Sequence, residues 1–460
     1  MAAWKNILLI PDHPRQGPLS ADDYYNLSPT RRLVYRLRYH PRRIVDLILL
    51  FGSLLIEWMA NTMLAPMTPW YVANLAPNMD QGTAASIIMA SYAIGTFCSS
   101  LVTGPLSDRI GRRPVIILAM TIFMVSQFLV ANSWDLGSFA GFRAMGGVAA
   151  GTRPVIMSYM IDSSRAVDMK MYGVFFGLCI VVGQAIGPSI GGALAEITLS
   201  FPFYFVGVLG AVLVILLLLF LTESLIKDEN GMPIRKVGCE GQCDMAKNKY
   251  LIPTVMCMSL AAFSGQYLEI NWSTVFGLLG SEQYHLNPSQ NGGVLSIEVI
   301  ATIFVNVIYV PLTRLIEPAL LASIGYAISC LIVVVPFIDN LVGVIFLGMA
   351  IQGGVGLYFA GMAYFSTMIC PPKTRGLVNS IIMASANSGG VFGPFAAGNL
   401  YDMDPADPFY LSVGISCLGV ITCIGMAVGI RYQQHLNKKA MTEGSTDDES
   451  ACNSDVAGQA

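Results

Sequence analysis

Charge is scarce in this sequence. Asp, Glu, Lys and Arg make up 12% of the 460 residues, about half the roughly 25% usual in soluble globular domains. With 54% of residues hydrophobic, too little polar surface is left to cover a water-soluble fold, and that class is excluded. Metal-ligand clusters are also missing. Cys239 and Cys243 share a polar loop as C-x3-C with no second ligand pair nearby, and Cys98, Cys179, Cys257, Cys330, Cys417 and Cys423 fall in apolar blocks, where thiols act as small core residues. The sequence has no glycine-rich nucleotide loop and no nucleophile–base pair, so no enzyme, no cofactor and no nucleic-acid partner is expected. A cleavable signal is missing too: the first long apolar block begins near residue 44, and the first membrane helix is expected to act as its own insertion signal.

What the sequence does have is apolar residues in long blocks, at a mean hydropathy of +0.60. Ile44–Pro66 and Phe203–Leu221 are examples. Blocks of about twenty residues match a hydrocarbon core of about 30 Å at 1.5 Å rise per residue. Blocks and breaks predict an all-α membrane protein of twelve transmembrane helices, near 44–66, 84–103, 115–133, 138–161, 173–195, 203–222, 250–277, 291–311, 319–338, 341–368, 378–400 and 408–430. An even count puts both termini on one side. Of the 26 Lys and Arg residues, all but Arg143 and Arg153 then fall in the two tails or in loops on that same side. The positive-inside rule makes that side the cytosol. The two exceptions lie inside the fourth block.

A polar stretch divides the chain into two six-helix halves. The expected organisation is a basic N-terminal tail (1–43), a first half (44–222), a cytosolic linker (223–249), a second half (250–430) and an acidic, disordered C-terminal tail (431–460). The basic tail suits contact with anionic lipid headgroups. Pro105-Leu106 recurs as Pro311-Leu312, and Gly187-Pro188 as Gly393-Pro394, at one constant offset. That is the mark of two parallel pseudo-repeats.

Four stretches carry the chemistry. Gly104-Pro105-Leu106-Ser107-Asp108-Arg109-Ile110-Gly111-Arg112-Arg113 links spans two and three; its glycines permit tight turns, and Asp108 can pair with an arginine or cap a helix N-terminus when the halves close. Arg143-Ala144-Met145-Gly146-Gly147 lies in span four. An arginine inside a span faces a cavity or a carboxylate; Arg153, ten residues on, either shares that wet face or snorkels to the headgroups. Span five reads Gly183-Gln184-Ala185-Ile186-Gly187-Pro188-Ser189-Ile190-Gly191-Gly192, with small residues for close helix approach and a proline bend. Glu57 falls near the bilayer centre of span one, nine residues before the Pro66-x-x-Pro69 turn. Charge is costly there, so Glu57 either alternates between protonated and ionised forms or stays neutral in the packing. Glu269 in span seven and Glu298 in span eight are two further acids; Glu269 is expected toward the outer half, paired with a polar neighbour or in contact with substrate.

These strings resemble the signature loop, the fourth-helix R-x-x-x-G pattern and the G-x-x-x-G-P-x-x-G-G antiporter motif of the major facilitator superfamily. The first and seventh spans resemble its drug:H+ antiporters and vesicular amine transporters. The resemblance implies a central cavity lined by helices one, four, seven and ten, with Glu57, Arg143, Arg153, Glu269, Gln352, Tyr358 and Tyr364 as its polar residues and Asn387 on helix eleven. It implies proton coupling at Arg143 and amine recognition at Glu57. Helices ten and eleven carry no acid where vesicular amine transporters place one, which argues against a monoamine or acetylcholine substrate. The expected function is proton-coupled antiport of a small organic, cationic or drug-like solute by a monomer in the bilayer, in a plasma or vesicle membrane with both termini cytosolic. Two alternatives stand beside it: an organic-anion carrier using Arg153, and a non-transporting receptor on the same fold.

Overall fold

The computed structural model describes residues 29–39, 41–163, 168–224, 251–369 and 375–457. Among them every element is helical. Ten stretches are long and apolar enough to cross a membrane. Two further columns complete twelve. The fourth is divided into Leu136–Ala150 and Arg153–Ser163, each too short to cross alone. The eleventh, Arg375–Tyr401, carries Asn379, Ser385, Asn387, Ser388 and Asn399.

The first span is a helix Pro41–Thr62, a 3-10 turn Ala65–Met67 and a short helix Thr68–Leu75. Pro66 and Pro69 each sit in a first helical turn, where a missing N–H costs nothing, so they restart the helix rather than end the span. The others are Gln81–Ile110, Arg112–Ala131, Met169–Ala195 and Phe201–Phe220 in the first half. Leu251–Glu282, Pro288–Leu312, Pro318–Ser329 extended by a 3-10 turn Cys330–Phe337, Leu341–Ile369 and Asp407–Ala457 follow in the second. The expected spans are all present, mostly longer than the apolar blocks. The twelfth helix runs well past residue 430, where a disordered tail was expected, because 433–443 is rich in strong helix formers (Gln, Leu, Lys, Ala, Met, Glu). Most of the basic tail and of the linker 223–249 lies outside the described residues; within the tail, Pro29–Tyr39 is a helix whose Arg36 pairs with buried Asp168 at 3.1 Å.

Helix packing repeats with a period of six. In the first half, spans one and five, one and six, two and four, three and four, and three and six pack together; seven and eleven, seven and twelve, eight and ten, nine and ten, and nine and twelve do the same in the second. The two most extensive contacts between halves, five with eight and two with eleven, exchange under the same shift. These are two parallel pseudo-repeats. Contacts between the halves gather between mid-membrane and the end far from the termini. There Asn291 Nδ2 donates to Pro66 O at 3.3 Å, and Ser189 Oγ meets Ser296 Oγ at 2.7 Å.

Candidate functional site

Close packing of spans two and four positions the arginines. A Cβ at Gly95 would lie 2.0 Å from Ala144 O, and one at Gly147 2.1 Å from Tyr92 O, so the two backbones touch. The fourth span breaks at Gly151-Thr152, ahead of Pro154, and Arg153 opens the next helix. Regular helical phase therefore does not carry from Arg143 to Arg153, and the two part company. Arg143 is fully buried: Nη1 donates to Ala60 O at 3.5 Å and the guanidinium lies 4.9 Å from the Tyr92 ring centroid. Arg153 enters the central cavity instead of snorkelling.

That cavity, roughly 850 Å³ with open solvent at its mouth included, lies between the halves at mid-membrane. In its wall Arg153 grips Glu57, Nε and Nη2 both donating to Oε1 at 2.9 and 2.8 Å. Its guanidinium also lies 4.3 Å from the Trp58 ring, a cation–π geometry. The sequence had Arg153 either sharing a wet face with Arg143 or snorkelling; the break in the fourth span sends Arg153 alone to the cavity and to Glu57. Across the cavity stands Glu269, flanked by two amides: Gln184 Nε2 donates to Oε1, and Gln266 Nε2 to Oε2 at 3.1 Å. Gln184 belongs to span five, so this contact joins the halves. Gln352 and Asn387 line the same space, with Tyr92, Met89 and Ile270 supplying apolar wall.

Tyr358 is a correction. Six residues beyond Gln352, it is turned by about 240° around the helix, and it packs in the second half's core, donating to Met258 O at 2.8 Å. The Tyr364 side chain lies outside the described residues. Glu298 is fully buried behind the cavity wall, accepting from Trp272 Nε1 at 2.6 Å. Trp58, Tyr92, Gln184 and Gln266 had drawn no role from the sequence, although Gln184 stands inside the fifth-span motif read there and Gln266 lies three residues before Glu269.

The fifth-span motif divides its labour. Gly183, Gly187 and Gly191 admit the first span: added Cβ atoms would meet Leu55 O at 2.7 Å, Met59 O at 2.6 Å and Met63 O at 2.4 Å. Gly192 faces the other half, where an added Cβ would lie 2.1 Å from Pro288 O, while Pro188 O occupies the space a Cβ at Gly292 would take. Gly192→Leu should therefore wedge the far end apart. Overpacking of this kind costs about 1–3 kcal/mol, so we expect solute flux in proteoliposomes to fall roughly tenfold or more, with the protein still monodisperse.

In the loop between spans two and three, Arg112 Nη2 pairs with Asp108 at 2.6 Å and Nε with Asp162 at 3.3 Å. Glu223 accepts from Arg112 N and Arg113 N at 3.0 and 3.1 Å, capping the third span. Gly111 has φ 118°, in glycine's own region, and a Cβ there would strike Glu223. Arg109 is exposed. All these partners belong to the first half except Glu223, the linker residue that directly follows it. A Cβ at Gly104 would meet nothing within 4 Å, so packing in this state makes no demand for glycine there.

Comparison with known proteins agrees with the architecture. The sequence model of the Major Facilitator Superfamily matches residues 50–307 and 255–450. The Quinolone resistance protein NorA of Staphylococcus aureus is 21% identical over 82% of this chain and 95% of its own. Multidrug resistance protein 1 of Bacillus subtilis is 24% identical over 87% and 100%. Among solved structures, the human organic anion transporter MFSD10 (TETRAN) aligns with a TM-score of 0.61 at 15% identity over 83% of this chain and 99% of that one. A bacterial homolog of the human lysosomal transporter Spinster, inward-facing and occupied, aligns with a TM-score of 0.64 at 14% identity over 86% and 97%. Twelve helices in two repeated sets, a cavity between them and a family match along most of the chain lead to one conclusion: this protein is a multi-pass membrane transporter of the Major Facilitator Superfamily.

Proposed function

We propose that the protein exchanges protons for small organic cations by alternating access. One observation carries this reading: the cavity is lined by one guanidinium, Arg153, and one carboxylate, Glu269, and the guanidinium is already matched by a second carboxylate, Glu57, in the wall beside it. Arg153 matches Glu57, whereas Glu269 is held by the two neutral amides of Gln184 and Gln266. An ionised Glu269 is thus an acceptor waiting for positive charge, beside aromatic walls at Trp58 and Tyr92 that favour a cation's apolar body. A carboxylate that takes either a proton or a cation couples the two fluxes, since each excludes the other. The names of the Staphylococcus and Bacillus relatives, quinolone and multidrug resistance, support a broad drug-like substrate range. The site centres on Glu269, with Glu57 and Arg153 as its second, internally paired element and Gln352 and Asn387 as polar contacts. Arg143 supports the wall behind Tyr92.

Arg153 in the cavity also favours a second reading. Protonation of Glu57 would free its guanidinium for an organic anion. Uptake into proteoliposomes of a mixed panel of organic cations and anions, with and without an imposed pH gradient, separates the two. Gradient-dependent accumulation of cations supports the first reading; accumulation of anions alone replaces it with the second. No uphill movement of either class would leave the fold as a receptor.

A further inference from the structure

The second span begins at a helix end that the opposite half completes. Asp402, just past the eleventh span, turns its carboxylate onto that end. Oδ1 accepts from Gly82 N at 2.7 Å, and Oδ2 from Thr83 N at 2.8 Å and Thr83 Oγ1 at 2.7 Å. The span's own N-cap, Asp80, makes no side-chain capping bond, although aspartate is among the best N-cap residues. An anion at this position also meets the positive end of the helix dipole. Beside it the backbones touch: a Cβ at Gly82 would lie 2.2 Å from Gly398 O, and one at Gly398 1.9 Å from Gly82 O.

The pseudo-repeat supplies an internal control. The offset that relates Gly187-Pro188 to Gly393-Pro394 also relates Gly82 to Pro288 and Gly192 to Gly398. Gly192 meets Pro288 O much as Gly398 meets Gly82 O, so these two contacts are counterparts in shape. They differ in their caps. Pro288 has no N–H to offer, and the eighth span is capped within its own half by Asn287, which accepts from Gln290 N at 2.8 Å while Gln290 Oε1 accepts from Asn287 N at 3.1 Å. One helix end is self-sufficient. The other is finished only when the halves dock.

We propose that Asp402 is a positioning residue for the transport cycle: its carboxylate latches the second and eleventh spans together at the far end and lets go each time that end opens. Both partners pass into water on opening, so nothing buried is left unpaired and the latch is reversible. The inference rests on the two halves separating at this end, as in the proposed alternating access. It does not depend on the solute or on proton coupling.

Hydrogen–deuterium exchange of the full chain in nanodiscs tests it. In Asp402→Ala, the amides of residues 82–86 should exchange roughly tenfold faster, the scale of a lost cap. The decisive readout is remote. Residues 289–296 and 189–196, the pseudo-symmetric contact between the halves, should also exchange faster, while the sixth span stays unchanged. Thr83→Val, which keeps both backbone bonds, should give a smaller change of the same pattern, and it serves if the alanine variant fails to fold. Acceleration confined to 82–86 makes Asp402 a local cap and overturns the proposal, as does no acceleration. Should the wild type exchange at 82–86 and 289–296 no faster than the interior of the sixth span, the far end does not open, and the cycle rather than the latch is at fault.

Discussion

Glu269→Gln should cut gradient-driven accumulation of organic cations by about 10- to 100-fold while leaving the protein folded. The figure follows from one lost charge-assisted contact, about 1.5–3 kcal/mol in a site shielded from water. The fold should tolerate the change because glutamine is nearly isosteric and its oxygen still accepts from Gln184; only the bond from Gln266 Nε2 to the second oxygen is lost. Glu269→Asp keeps the charge but draws it back by one methylene, so partial activity should return. The substitution also removes the proton's alternative seat. Cation efflux should therefore lose its dependence on the pH gradient as well as its rate. Initial uptake rates across a cation concentration series, at two imposed gradients, check both effects. Full cation uptake in Glu269→Gln would remove Glu269 from the site; an equal loss of cations and anions would mark it as structural.

The architecture was legible in the sequence because membrane spans are written in composition. Block length fixes the helices, loop charge fixes the pairing of the ends, and the recurring Gly-Pro pairs expose the repeat. The site was legible only in part. Glu57, Arg153, Glu269 and Asn387 were located by asking which polar residues lie where lipid or helix should be, and the structure brings all four to the cavity region. Two errors had geometric causes. Allowing Arg143 and Arg153 to share one wet face assumed an unbroken fourth helix, but Gly151-Thr152-Arg153-Pro154 interrupts it and redirects Arg153. Choosing Tyr358 read polarity without phase; six residues from Gln352, it faces the core. The latch at Asp402 was not legible at all, because nothing local distinguishes an acid that caps its own helix from one that caps another some 320 residues away.

Breaking the Glu57–Arg153 pair should be markedly asymmetric. In Glu57→Gln, Arg153 keeps its charge in a nearly buried wall and cannot shed its proton; leaving one member of a buried pair uncompensated costs about 3–5 kcal/mol. In Arg153→Gln, the stranded Glu57 can neutralise itself by taking up a proton, and Trp58 loses only a cation–π contact of about 0.5–2 kcal/mol. Thermal unfolding of the purified variants should therefore rank wild type first, Arg153→Gln next and Glu57→Gln last. The double variant Glu57→Gln/Arg153→Gln should lie well above Glu57→Gln, because it buries no unmatched charge, and the cycle should give a coupling energy of about 2–3 kcal/mol. Transport then separates structure from mechanism. A pair that only holds spans one and four together would be replaced by two hydrogen-bonded amides, and cation flux would return in the double variant along with stability. A pair whose carboxylate also takes a proton during the cycle leaves the double variant stable, and its flux stays low and insensitive to the imposed gradient. We expect the second outcome: Arg153 lines the cavity and reaches Glu57 from it, so opening of the cavity to water changes the surroundings of this pair, whereas a purely structural contact would sit behind the wall, as Arg143 does.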